Sequence, residues 1–129
     1  MSYYIETTLD LPFEEAIGRV KAALKEEGFG VLTEIDVQAT LKNKLDVDFR
    51  RYQILGACNP QFAYKALQSE RMVGVMLPCN VIVQDAEGGG SQVAAIDPIA
   101  SMQAIANPQL AEIADVIRAK LGRVIEGLR

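Results

Sequence analysis

Three consecutive glycines, Gly88-Gly89-Gly90, separate two β-rich stretches, CNVIVQD and SQVAAID. Glycine enters positive-φ backbone without steric cost, so the run reads as a flexible hairpin turn. The flanking stretches then pair antiparallel. Side chains alternate along a strand, so Cys79, Val81 and Val83 are expected on one face. This pair is the fixed point around which the other elements are arranged.

Upstream, YYIETT at 3–8 reads as a strand. Pro12 suits the first position of a helix, and Glu14 and Glu15 suit its positive end. Phe13, Ala16, Ile17, Val20 and Leu24 recur at helical spacing and Gly28 is a stop, which predicts a helix over about 12–27. FGVLTEID at 29–36 is a second strand. Asp36 can cap a short helix with Val37, Leu41 and Leu45 on one side. FRRYQILGA at 49–57 is a third strand, with Tyr52, Ile54 and Gly56 expected on the apolar face. Cys58 falls on that face if the strand runs on.

Asn59-Pro60 opens a helix of about ten residues with Ala63, Ala66 and Leu67 as its inner stripe. VGVMLPCNVIVQD at 73–85 is mostly extended, and Pro78 makes its first part an edge, a bulge or a bend. A short helical turn fits near 99–105. Asn107-Pro108 opens the longest helix, with Leu110, Ile113, Ala114, Ile117, Leu121 and Val124 on one stripe. NPQFA at 59–63 and NPQLA at 107–111 read as one capping solution used twice. The order β-α-β-α-β-α-β-β-α predicts an α+β, two-layer fold, a mostly antiparallel five-stranded sheet with helices packed on one face, as a single domain over 1–129.

A chain of 129 residues can bury one real core without disulfide staples. No stretch approaches the roughly 20 apolar residues of a membrane span. The start, MSYYIETTLD, lacks a basic leader and an apolar block, so a cytoplasmic location is expected. A net charge of −4 argues against a nucleic-acid partner, whose binding rests on cations neutralising phosphates.

Histidine is absent. That removes Ser-His and Cys-His nucleophile activation and the commonest metal ligand. Any chemistry falls to thiol, carboxylate, tyrosine or lysine groups, and no catalytic residue is assigned.

Cys58 and Cys79 each precede an asparagine, Asn59 and Asn80. Cys58 stands at a helix start, where unpaired N–H groups and the helix dipole favour a thiolate. If the third and fourth strands are neighbours, the two cysteines meet near one end of the sheet, as a reversible disulfide or two metal ligands. The weightier reading is packing. Cysteine behaves as a small hydrophobe, the spacing matches no redox or zinc pattern, and two ligands do not complete a tetrahedral site. No metal or cofactor is expected.

A second candidate cluster is acidic: Glu34 and Asp36 on one face of a strand end, and Asp97 ending another strand. Converging carboxylates serve as acid and base or bind a hard cation. The plainer reading makes Asp36 a cap and Glu34 a solvated edge charge. Arg50 and Arg51 can pin an anion but better suit a solvent-facing strand, and Tyr3, Tyr4 and Tyr52 suit a core or subunit contact. The glycine run lacks a following Lys-Ser/Thr and is no phosphate loop.

The combination LTEIDV at 32–37, YQILGACNP at 52–60, LPCNVIV at 77–83 and AIDP at 95–98 resembles the family of small bacterial and archaeal proteins called domain of unknown function 302. The resemblance spans nearly the whole chain, and its most specific part is the two Cys-Asn elements in this order. It implies a TATA-binding-protein-like α+β sheet backed by helices, often as a homodimer. The family has no established activity. The resemblance singles out Cys58, Asn59, Pro60, Pro78, Cys79 and Asn80.

Two functions are expected in competition. The first is a ligand-binding or interaction module, a homodimer with a small-molecule pocket near Cys58, Asn59, Pro60, Cys79 and Asn80. The alternative is a thiol-dependent redox, sensor or metal-handling protein using Cys58 and Cys79.

Overall fold

The computed structural model describes residues 2–129. Five strands form one antiparallel sheet: β1 (Tyr4–Leu9), β2 (Gly30–Asp36), β3 (Tyr52–Cys58), β4 (Cys79–Asp85) and β5 (Ser91–Ile96). Their order is β1-β5-β4-β3-β2. The expected hairpin is present, with Val81 opposite Ala95 and Val83 opposite Val93. Gly89 and Gly90 take φ of 98° and 77°. At Gly90 glycine is required twice over, since a Cβ there would fall onto the Leu9 carbonyl oxygen.

Two long helices cover one face of this sheet, α1 (Phe13–Glu26) and α5 (Pro108–Leu128). Their stripes are those the periodicity gives. Ala16, Val20 and Leu24 from α1 meet Leu121, Val124 and Ile125 from α5 over Leu55, Val81, Val83 and Val93. Full burial of one such aliphatic side chain contributes roughly 1.5–3 kcal/mol, so this layer is the main source of stability. Three shorter helices complete the fold: α2 (Val37–Leu45), α3 (Pro60–Ser69) and α4 (Pro98–Ser101).

β3 presents the opposite face from the one expected. Leu55 and Ala57 are buried under the helices, while Tyr52, Ile54 and Gly56 lie on the uncovered side. Register decides this. Leu55 pairs with Val81 and Ala57 with Cys79, both on the inner face of β4. Gly56 sits where β2 and the Leu77-Pro78 segment converge. A Cβ there would fall onto Thr33 Oγ1 and lie 2.9 Å from Pro78 Cγ. Its absent side chain is a close-approach requirement and does not mark an inward position.

Of the three options before Pro78 the bend is the one present: residues 73–76 form a 3₁₀ turn, and β4 begins only after Pro78, as an interior strand flanked by β3 and β5. α2 forms as a short helix capped by Asp36 and buries none of its residues, Val37, Leu41 and Leu45 included. Leu67 on α3 is 46% exposed, and only Ala66 of that helix is buried.

The uncovered face carries a row of apolar side chains across four strands, Ile35–Ile54–Ile82–Ala94. Beside it runs a polar ladder. Arg50 Nε donates to Gln84 Oε1 at 2.7 Å, Gln84 Nε2 to Gln92 Oε1 at 3.0 Å, and Gln92 Nε2 to Glu6 Oε2 at 2.8 Å. No helix among the described residues is long and apolar enough to cross a membrane.

Candidate functional site

The buried side chains fall into two clusters. The larger lies between the sheet, α1 and α5; the smaller joins Ala66, Val73 and Leu110, and Ile113 packs against both. Where the two fail to merge there is a cavity of about 290 Å³. Ala57, Cys58 and Cys79 form its sheet wall, Phe62, Ala63, Ala66 and Leu67 of α3 another, and Ile113, Ala114 and Ile117 of α5 a third. Phe29, Leu32, Leu77, Pro78, Pro98 and Met102 close the remainder. The stripe expected on α3 therefore exists, but it faces this space. Alanine at 57, 63, 66 and 114 sets the walls apart, because side chains of one carbon cannot interdigitate across the gap.

Both cysteines stand at this end of the sheet. β3 and β4 run antiparallel with Ala57 opposite Cys79, and Cys58 is the next residue, opposite Gly30 on the other flank of β3. Neither is disulfide-bonded. The Cys79 thiol is pushed up to about 11, by burial first and by the neighbouring Cys58 second. At neutral pH Cys79 is therefore an uncharged thiol that packs as a hydrophobe.

The other singled-out residues divide. Asn59, 9% exposed, lines the cavity and follows Cys58 into α3. It does not cap that helix. Its Nδ2 donates to the Glu27 carbonyl at 3.3 Å, tying α3 to the end of α1. Asn107 does cap its helix, accepting from Gln109 N and Leu110 N at 3.1 and 3.3 Å. The two NPQ segments thus share a sequence but not a cap. Pro60 is exposed in the first turn of α3, where its missing N–H costs nothing. Asn80 is exposed on the far face of the sheet, because alternation along β4 turns it away from Cys79. Pro78 does line the cavity.

The acidic cluster does not assemble. Asp36 lies at the Tyr52 end of the sheet, and Asp97 follows Ile96 at the cysteine end. Glu34 pairs with Lys21 at 2.9 Å and accepts from Gln53. Asp36 caps α2 through Ala39 N, and Asp97 caps α4 and lies 3.5 Å from Arg118 Nε. Among the described residues no three Cys, Asp or Glu side chains are grouped to hold a metal ion. Arg51 pairs loosely with Glu14 at 3.7 Å, and Arg50 stacks on Phe49 and Tyr52. Tyr3 and Tyr4 meet edge to face in the open, 67% and 41% exposed.

Sequence reasoning passed over Phe29, Phe62, Met102 and Ile117 as wall residues. Phe62 and Ile117 carried local signals, a place in NPQFA for the first and in the stripe of the last helix for the second. The others come from elements far apart in the chain.

The family model for domain of unknown function DUF302 matches residues 5–128. Among solved structures, an uncharacterized conserved protein DUF302 from Bacillus stearothermophilus is 31% identical, with a TM-score of 0.92 over all of both chains. No curated protein matches.

Proposed function

The chain belongs to the domain of unknown function DUF302 family, and from that premise we propose that it is a binding module whose cavity beside Cys58 and Cys79 receives a small apolar molecule. One observation carries this: an apolar space of about 290 Å³, held open by alanines and reaching the surface beside the exposed rim residues Leu32 and Leu67. Small-molecule sites are concave, mostly apolar and furnished with few polar groups. The single amide in this wall, Asn59, fits that description. Binding without turnover follows from this reading.

The reading in which Cys58 and Cys79 act by thiol chemistry is the weaker of the two. Reactivity belongs to the thiolate, and burial holds Cys79 in the opposite form. Two unpaired cysteines suit a reducing compartment, the cytoplasm.

The module also acts as a homodimer in this proposal. The apolar row Ile35–Ile54–Ile82–Ala94 supports a second copy as the occupant of the uncovered face. The ladder beside it begins at Arg50 and ends at Glu6. A copy rotated about an axis parallel to the strands sets its acidic end over the basic end, so the charges complement.

The test is a titration with 2-methylnaphthalene, a neutral two-ring molecule, followed by the change in its own emission as it leaves water. A saturable change that falls in Ala63→Leu is expected. A wild-type signal that rises linearly without saturation would sink the proposal.

A further inference from the structure

We infer that the cavity selects an uncharged ligand of about the size of two fused rings and rejects an anion of the same shape. This rests on the binding reading above and goes further in naming the ligand's chemistry.

The wall carries no Asp, Glu, Lys or Arg. Its one amide, Asn59, commits one of its two N–H donors to the Glu27 carbonyl, which leaves a single neutral N–H and no formal charge. Cys79 is held neutral by burial. Two cations approach a wall residue: Lys65 Nζ lies 5.3 Å and Lys120 Nζ 5.9 Å from the Phe62 ring centroid. Lys65 lines a separate groove together with Glu112, on the far side of Phe62 and Ile113, so its charge is not presented to the cavity. An anion entering the cavity would lose its hydration and find no cationic side chain in the wall, Lys120 included; the uncapped first turn of α3 offers partial charge only, so the net cost falls on the anion and not on an uncharged molecule.

Size follows from volume. An apolar cavity of about 150 Å³ accommodates benzene. The space here, about 290 Å³, is close to twice that. A single ring leaves half the wall uncontacted and forfeits dispersion, while two rings reach both the sheet wall and the α5 wall.

The experiment compares 2-methylnaphthalene, 2-naphthoate and toluene by ligand-fluorescence titration of the native protein at pH 7. Saturable 2-methylnaphthalene binding is expected, weakened in Ala63→Leu, with 2-naphthoate and toluene each at least about tenfold weaker. Naphthoate binding as tightly as methylnaphthalene would overturn the neutral-ligand inference and leave the binding reading intact. Toluene binding equally well would overturn the size assignment alone. Absence of binding by all three would remove the binding reading, and this inference with it.

Discussion

Ala57 and Cys79 face each other across the β3–β4 ladder, and this pairing places Cys58 at the same sheet end as Cys79. Both sulfur-bearing residues therefore border one cavity although neither is spaced for a known motif. The pairing also makes Cys79 part of the core's edge, and its replacement should be felt as loss of packing. Cys79→Ser is expected to cost about 1–3 kcal/mol in urea unfolding by burying a hydroxyl without a partner. A cost near zero would place Cys79 outside the packed interior.

Burial of Cys79 also has a pH signature. Its thiol is pushed from 9.0 to about 11, so the folded state holds the proton more tightly than the unfolded chain. The associated stability is fully present below pH 9 and is lost as pH rises through about 11, by an amount on the order of 2 kcal/mol. Lysines and tyrosines titrate in the same window, so the measurement is the difference between wild type and Cys79→Ala at each pH. The gap should narrow from pH 8.5 to 11; a constant gap would show that the thiol is not desolvated.

Gly56 and Gly18 should respond in opposite directions to alanine. At Gly56 a Cβ collides with Thr33 and crowds Pro78, so Gly56→Ala is expected to destabilise by about 1–3 kcal/mol. At Gly18, on the exposed side of α1, nothing lies within 4 Å of the added carbon. There the gain in helix propensity should stabilise by up to about 1 kcal/mol. Thermal unfolding of the two variants, compared at equal pH, checks both signs.

The look-alike asparagines provide another contrast. Asn107→Asp keeps the cap acceptors for Gln109 and Leu110, although it loses the donation to Ser69. Asn59→Asp removes the donor that satisfies the Glu27 carbonyl and puts a carboxylate in a site 9% exposed. The Asn59 variant should therefore be the less stable by about 1–3 kcal/mol. Equal midpoints in denaturant would contradict the separate roles of the two side chains.

Self-association has its own test. Ile82 lies at the centre of the uncovered face, opposite Ile54 and Ala94. Ile82→Lys should convert the species seen by sedimentation velocity from dimer to monomer while leaving the circular dichroism spectrum unchanged. A wild-type protein that sediments as a monomer would end the homodimer proposal.

Much of the fold is legible in the sequence because the signals are local. The glycine run fixes the β4–β5 hairpin, and the stripes of α1 and α5 repeat at helical spacing. The face of β3 is not legible, because Ile54 and Leu55 are adjacent and both apolar; only pairing with Val81 and Ile82 chooses between them. The shared NPQ motif misleads for a similar reason. Both asparagines donate Nδ2 to a distant carbonyl, Asn59 to Glu27 and Asn107 to Ser69, and only at Asn107 does the tertiary setting also leave Oδ1 over the first turn of its own helix. The cysteine pairing is legible as a condition, that β3 and β4 be neighbours, and the sheet meets it. The cavity itself is not. Ala63 and Ala66 read as a filled interior, and the space they leave is set by walls from α3, α5 and the sheet together.

The measurement that bears most directly on the binding account is a carbon-13 methyl spectrum of protein labelled at alanine, isoleucine and methionine, recorded during titration with 2-methylnaphthalene. Saturable shifts at Ala63, Ala66, Met102 and Ile113, with Ile54, Ile82 and Ala94 unmoved, are the expected result. Shifts confined to the open sheet face, or none at the solubility limit of the ligand, would contradict it.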